Sequence, residues 1–123
     1  MIKKILKPKV IKAAGNKPEL IEEYFGRINT QSNEISIAML TCPQGWVEPA
    51  QKPDFTEYSI VFEGILKVTA KDKEIEVKAG ESIIVEKGEW VQNSTPYEGG
   101  AKYIAICIPA FSPELVHRDE DKK

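Results

Sequence analysis

From residue 34 to residue 109 the chain is a train of short β-prone runs punctuated by glycine, proline and brief charged turns. Turn signals about every eight to twelve residues exclude helix bundles and alternating βα units, and leave an antiparallel sandwich or small barrel. The clearest run is 34–42, where Ile35, Ile37, Met39 and Thr41 alternate with Ser36, Ala38, Leu40 and Cys42. Residues 56–62 form another, Gly64 punctuates, and 65–70 with 74–78 read as a hairpin around Lys71, Asp72 and Lys73. Gly80 and Gly88 bracket a run at 82–86, a further run resumes at 90–93, and 101–109 is a last long strand after a turn at 96–100. Pro43, Gly45, Pro49 and Pro53 confine 43–54 to a rim or loop. Residues 18–27 admit two readings. Leu20, Ile21, Tyr24 and Phe25 suit a short amphipathic helix, whereas Gly26 and the aromatics suit an extended stretch. Ser112 as N-cap and Pro113 at the first helical position open a short C-terminal helical turn.

With 123 residues, 41% of them hydrophobic and 29% charged, there is apolar material for one core and no room for a second. Residues 1–123 therefore read as a single domain, with a basic arm at 1–17 and a charged tail at 112–123. Six lysines precede the first acid, Glu19, and beyond them eleven basic side chains face nineteen acidic ones. The arm lysines read as the solvated edge of a first strand. A formal net charge of −2 lacks the clustered positive field that nucleic-acid binding requires. The longest apolar run, 103–110, falls far short of the roughly 20 residues that cross a bilayer. Neither nucleic acid nor membrane is expected as a partner. Pro8 and the lysines interrupt any stretch that could serve as a signal peptide, so a cytoplasmic setting is expected. Cys42 and Cys107 are then expected as reduced thiols, with no spacing for structural zinc.

Alternation also sorts side chains by face. In 56–62, Glu57, Ser59 and Val61 share one side and Tyr58, Ile60 and Phe62 the other. If the more polar side lines a cavity, the aromatic side needs another sheet or another subunit to cover it, and a homodimer is the natural expectation. In the last strand Tyr103, Ala105 and Cys107 form the smaller, more polar side, which could face the same cavity as Glu57.

The glycine spacing resembles that of the cupin superfamily, whose first motif is a Gly, five residues, His-x-His, three or four residues, Glu, six residues and Gly. Gly45, Gln51, Pro53, Glu57 and Gly64 fall on those positions. The second motif is a Gly, five residues, Pro-x-Gly, two residues, His, three residues and Asn, and Gly80, Glu86, Gly88, Val91 and Thr95 fall there. The resemblance runs over residues 45–95. Pro109, Phe111, Ser112, Pro113, His117 and Arg118 also look like the ending of small bacterial cupins, some labelled by analogy with ethanolamine-utilisation proteins. It implies an all-β fold, a cupin-type jelly-roll barrel or double-stranded β-helix with a short C-terminal helical turn.

Cupins usually hold a transition metal through three histidines and a glutamate, since imidazole nitrogens suit such ions. Here the matched positions are Gln51, Pro53, Glu57 and Val91, of which Glu57 alone is a competent ligand. Neither a conventional metal site nor any other cofactor is expected. Glu57 has two readings: an interior carboxyl with a raised pKa that binds or transfers protons, or a structural residue paired with a neighbour. Gln51 and Tyr103 are candidate hydrogen-bonding partners for a ligand, and Trp46 and Trp90 could wall it or plug the barrel ends. Cys107 is a further lining candidate. His117, the sole histidine, is a possible counterpart to Glu57. The first expectation is a small-molecule-binding barrel. The alternative is a proton-transferring isomerase or lyase, acting on a sugar-like or carboxylate substrate, with Glu57 as acid/base and Tyr103 or His117 as its counterpart. A metal-dependent oxygenase ranks third.

Overall fold

A computed structural model describes residues 1–119, so residues 120–123 of the expected charged tail lie outside the described residues. Nine strands and one helical turn follow in chain order: β1 (Lys9–Ile11), β2 (Leu20–Phe25), β3 (Ser36–Cys42), β4 (Trp46–Val47), β5 (Thr56–Thr69), β6 (Glu74–Lys78), β7 (Ser82–Val85), β8 (Gln92–Thr95), β9 (Ala101–Ile108) and α1 (Pro113–Val116). Every pairing between the strands is antiparallel. The all-β, curled architecture matches the expectation from spacing.

Residues 18–27, whose pattern alone suits helix or extended chain, are extended: β2 pairs along β3, with Leu20 opposite Thr41 and Phe25 opposite Ile37. A second difference concerns Gly64, which does not separate two strands. β5 runs through it as one fourteen-residue strand. Its first part pairs with β9 and β7, its last part with β6 and β8, so this strand joins the two layers of the barrel. A register shift between Val61 and Glu63 and a φ of +75° at Gly64 make the bend. There a Cβ would collide with the carbonyl oxygen of Gly100, so glycine is what lets β5 and the turn before β9 approach. The hairpin expected around Lys71, Asp72 and Lys73 is present, closed by Ala70 N–H donating to the Lys73 carbonyl at 2.8 Å.

The inward faces follow the alternation. Ser36, Cys107, Glu57 and Val85 stand in one cross-strand row, and Ala38, Ala105, Ser59 and Ile83 in the next. Trp46, Val61, Leu66, Val68 and Val77 pack into a core at one end of the barrel, and burial of such apolar surface drives folding. At the other end Phe55 and Val116 pack with Phe111, leaving the small residues of β3 and β9 between the clusters without bulk to fill the space. The outward face of the same strands carries Tyr58, Ile60, Phe62 and Ile84, which are 37% to 61% exposed.

The C-terminal segment closes one rim. Asp54 N–H donates to the Leu115 carbonyl, Lys52 N–H to the His117 carbonyl and Asp119 N–H to the Ala50 carbonyl. Pro113 begins α1 as expected, but the Ser112 hydroxyl makes no capping bond. It is turned into the interior and buried without a partner, and α1 is a single turn with few orphan donors to satisfy.

Candidate functional site

The gap between the two packed clusters is a cavity of about 90 Å3. β2, β3, β5 and β9 supply its walls, the loop after β4 supplies Glu48, Pro49 and Gln51, and residues after β1 and α1 form its mouth. A second, much smaller void of about 10 Å3 adjoins it, with Gln51 and Glu57 lining both.

That small void is where the four positions matched to cupin metal ligands meet: Gln51, Pro53, Glu57 and Val91 all line it. The spacing therefore translates into a shared point in space, with Gln51 and Val91 held together by reciprocal backbone bonds of 2.9 and 2.8 Å. The side chains do not suit a transition metal. Proline and valine offer no donor, and the space is filled by their carbon atoms. Among the described residues no group of three or more His, Cys, Asp or Glu side chains is placed to hold a metal ion.

The polar character lies in the larger cavity instead. Glu19, Glu48 and Glu57 all line it. Glu57 points inward from β5, and burial raises its carboxyl from 4.5 to about 7 against the opposing hydrogen bond from Ser59. Burial likewise raises Glu19 to about 7, although the Cys42 thiol donates to its Oε2 at 3.1 Å and Arg118 favours the ionised form. Glu48 is raised well above the ordinary carboxylate range by burial, then by the charges of Glu57 and Glu19. Asn93 N–H, 3.3 Å from its Oε2, and Arg118 pull the other way. A fourth acid, Glu23, shapes the chain: its Oε1 accepts the Ile28 and Asn29 amides at 3.0 and 2.8 Å and so fixes the turn after β2.

Two further groups face this hollow with nothing to bond. The Tyr103 side chain is 1% exposed and Gln51 is 6% exposed, both line the cavity, and neither has a side-chain hydrogen-bond partner among the described residues. Their polar ends are therefore offered to the cavity, where a ligand's polar atoms could meet them. Cys107 lines the same wall, where burial and then the charge of Glu57 hold its thiol well above its usual range. It is thus a poor nucleophile.

The remaining sequence candidates stand elsewhere. Trp46 is in the core at one barrel end and lines neither hollow, its Nε1 without a partner. Trp90 lies between the second-motif glycine and β8 and donates through Nε1 to Asp119 at 2.9 Å. His117 sits on the outer rim with Nε2 2.7 Å from the Asp54 carboxylate, so the structure does not bring it to Glu57. Of the candidates, Glu57, Gln51, Tyr103 and Cys107 share one cavity.

Glu19, Glu48 and the mouth residues Lys12 and Arg118 were not among the expected site residues. For Glu19 a signal existed, because alternation along β2 places Glu19, Ile21 and Glu23 on one face, and all three line the cavity. No local pattern marks Glu48, which sits in a proline-rich loop whose path depends on its pairing with Asn93. The basic arm also differs from a merely solvated edge, since Ile11, Lys12 and Ala14 form part of the wall.

No family model matches the chain. Endoribonuclease YbeY of Myxococcus xanthus (strain DK1622) is 37% identical over 102 residues, 83% of this chain but 35% of that protein, so the chain spans about a third of the relative's length. Among solved structures, a predicted oxalate decarboxylase from Thermotoga maritima matches with a TM-score of 0.71 at 16% identity, over 89% of this chain and 99% of that one. The EutQ protein of Clostridium difficile matches with a TM-score of 0.62 at 20% identity, over 77% of this chain and 66% of that one. At such identities the likeness speaks to the fold and leaves the chemistry to the site.

Proposed function

The chain has the cupin fold, and on that footing we propose that it binds a small polar molecule in the cavity walled by Glu19, Glu48 and Glu57, without the three-histidine metal site. The observation that carries this reading is the pair of buried, partnerless groups, the Tyr103 hydroxyl and the Gln51 amide, that face an otherwise acid-lined space. Ligand pockets typically combine apolar walls with a few convergent polar groups, and the Ile21, Ala38, Leu40 and Phe55 surfaces supply the walls. In this reading residues 1–123 act as one domain in an intracellular setting, with the arm at 1–17 completing the site. The exposed Tyr58, Ile60 and Phe62 face is then the contact between two copies.

The test is to identify what the purified chain retains. Mass spectrometry of gently isolated protein, with metals counted per chain in the same sample, is expected to reveal an organic molecule that Tyr103→Phe and Gln51→Leu release. Stoichiometric iron, manganese, nickel or zinc would overturn the reading, as would a retained molecule unaffected by either substitution.

A second reading has its own support: two carboxyls, Glu19 and Glu57, with values near 7 are suited to exchange protons at neutral pH. The site would then be that of an isomerase or lyase with Glu57 as acid/base and Tyr103, rather than the distant His117, as its counterpart. Turnover of the retained molecule that persists in Glu57→Gln would refute it.

A further inference from the structure

What fills an acid-lined cavity is restricted by where its acids stand. Glu19, Glu48 and Glu57 line the hollow from three different segments: the approach to β2, the loop after β4, and β5. They are spread along the wall and form no cluster able to hold a metal ion. The positive charges are at the mouth, where Lys12 comes from the arm and Arg118 lies with its guanidinium 5.9 Å from the centre of the Phe111 ring. Beside the acids, the Tyr103 hydroxyl and Gln51 amide are more than nine-tenths buried and partnerless, so the site holds acceptors for a charge and a dipole pair for a second group. A spherical ion with fixed coordination geometry does not use such an array. An ammonium group on a carbon chain does, because its three N–H donors can reach separated acceptors while the chain lies along apolar wall.

We infer that the cavity binds a small aliphatic amine in its ammonium form, one that carries a second hydrogen-bonding group. The nitrogen is seated among Glu19, Glu48 and Glu57, and the second group meets Tyr103 and Gln51. This names the ligand class of the small-molecule reading above and rests on it.

A proton signature follows from the groups around the seat. Glu23 is already committed to the Ile28 and Asn29 amides. Burial keeps Cys42, Cys107 and Tyr103 in their neutral forms, and Lys12 and Arg118 line the same cavity. Glu19, Glu48 and Glu57 are therefore the groups that exchange protons when a ligand enters. An ammonium ion favours their ionised forms, so its binding releases protons and tightens as pH rises. A neutral ligand exchanges few protons, and an anion takes protons up.

Titration calorimetry of the full chain with 4-aminobutan-1-ol, butane-1,4-diol and 4-hydroxybutanoate separates these cases, because the three probes share a carbon chain and differ in charge. Measurements at pH 6 and pH 8, in two buffers of different ionisation heat, read both affinity and protons. The amino alcohol is expected to bind at least about tenfold more tightly than either partner and to gain about tenfold between the two pH values, with net proton release. Glu48→Gln is expected to weaken it at least about fivefold, with near-ultraviolet circular dichroism showing that the variant is folded. Equal or tighter binding of the diol or the acid, weaker amine binding at pH 8, or no heat from any of the three overturns the inference. Binding of the diol or the acid that is lost in Tyr103→Phe would remove the amine alone and leave the cavity as a small-molecule site. With no heat from any probe, mass spectrometry of the retained molecule still decides the broader reading.

Discussion

Replacing Glu57 by glutamine removes a titration while preserving a side-chain shape, and the structure gives its sign. The native carboxyl is raised from 4.5 to about 7, chiefly by burial. A carboxyl held above its unfolded value contributes stability that is complete below the unfolded pKa and is lost as pH rises through the native one. The folded state holds that proton more tightly and must surrender it. Between pH 5 and pH 8 this group alone should cost the parent about 2 to 3 kcal/mol, at about 1.4 kcal/mol for each pKa unit. That figure is a ceiling, because the cavity opens to water at its mouth. Glu57→Gln is neutral throughout, so it should match the parent near pH 5 and exceed it by about 2 kcal/mol at pH 8, with a melting temperature higher by roughly 5 to 10 °C. Urea unfolding of both proteins at both pH values measures this directly. Glu19, also near 7, imposes the same trend on parent and variant, while the difference between them carries Glu57 together with its repulsion of Glu48. A variant less stable than the parent at pH 8 would refute the argument, since the ionised carboxylate would then have a favourable partner. A difference equal at the two pH values would show that folding leaves the pKa of Glu57 unshifted.

Gly100 and Gly99 offer a matched pair for the turn before β9. Both have positive φ, but a Cβ at Gly100 would run into the Cys42 carbonyl, whereas Gly99 faces open space. Gly99→Ala should cost about 1 kcal/mol and Gly100→Ala at least about 2 kcal/mol more, and equal costs in urea unfolding would contradict the close approach of this turn to the end of β3. For the outward face, Ile60 is 40% exposed beside Tyr58 and Phe62, so Ile60→Glu should leave monomer stability nearly unchanged while splitting a dimer. Light scattering should give twice 13.8 kDa for the parent and 13.8 kDa for the variant; a parent mass of 13.8 kDa at micromolar concentration would refute the dimer.

The strands were legible wherever alternation and turn chemistry agreed. β3, β6, β7 and β9 fall close to their expected positions because each ends at a glycine, a proline or a charged turn, and along β9 every second residue is buried. The continuity of β5 was not legible. A glycine inside a β pattern reads equally as a break or a bend, and the tight approach of Gly100, distant in sequence, makes it a bend. β2 was ambiguous for a related reason: its apolar spacing fits either period, and pairing with β3 decides the matter. At the site, Glu57, Gln51 and Tyr103 could be proposed because strand parity or the cupin glycine spacing places them. Glu48 and Arg118 could not, since each reaches the cavity from an irregular segment whose course is set by tertiary hydrogen bonds.

The two hollows separate the meeting point of positions 51, 53, 57 and 91 from the acid-lined cavity beside it. Backbone spacing fixes where positions 51, 53, 57 and 91 meet, and that meeting point survives as a void too small for anything beyond a water molecule. Once proline and valine occupy it, Glu57 has no cation on that side to stabilise its charge, and its other side opens on Glu48 and Glu19. Three acids sharing one low-dielectric space cannot all ionise without a counter-charge, and burial with the charges of Glu57 and Glu19 holds Glu48 well above the ordinary carboxylate range. The larger hollow thus carries three carboxyls of raised pKa, with Arg118 favouring the ionised forms of Glu19 and Glu48. In the amine-binding reading, a ligand ammonium adds a positive charge to that of Arg118 and so favours the ionised forms of all three acids.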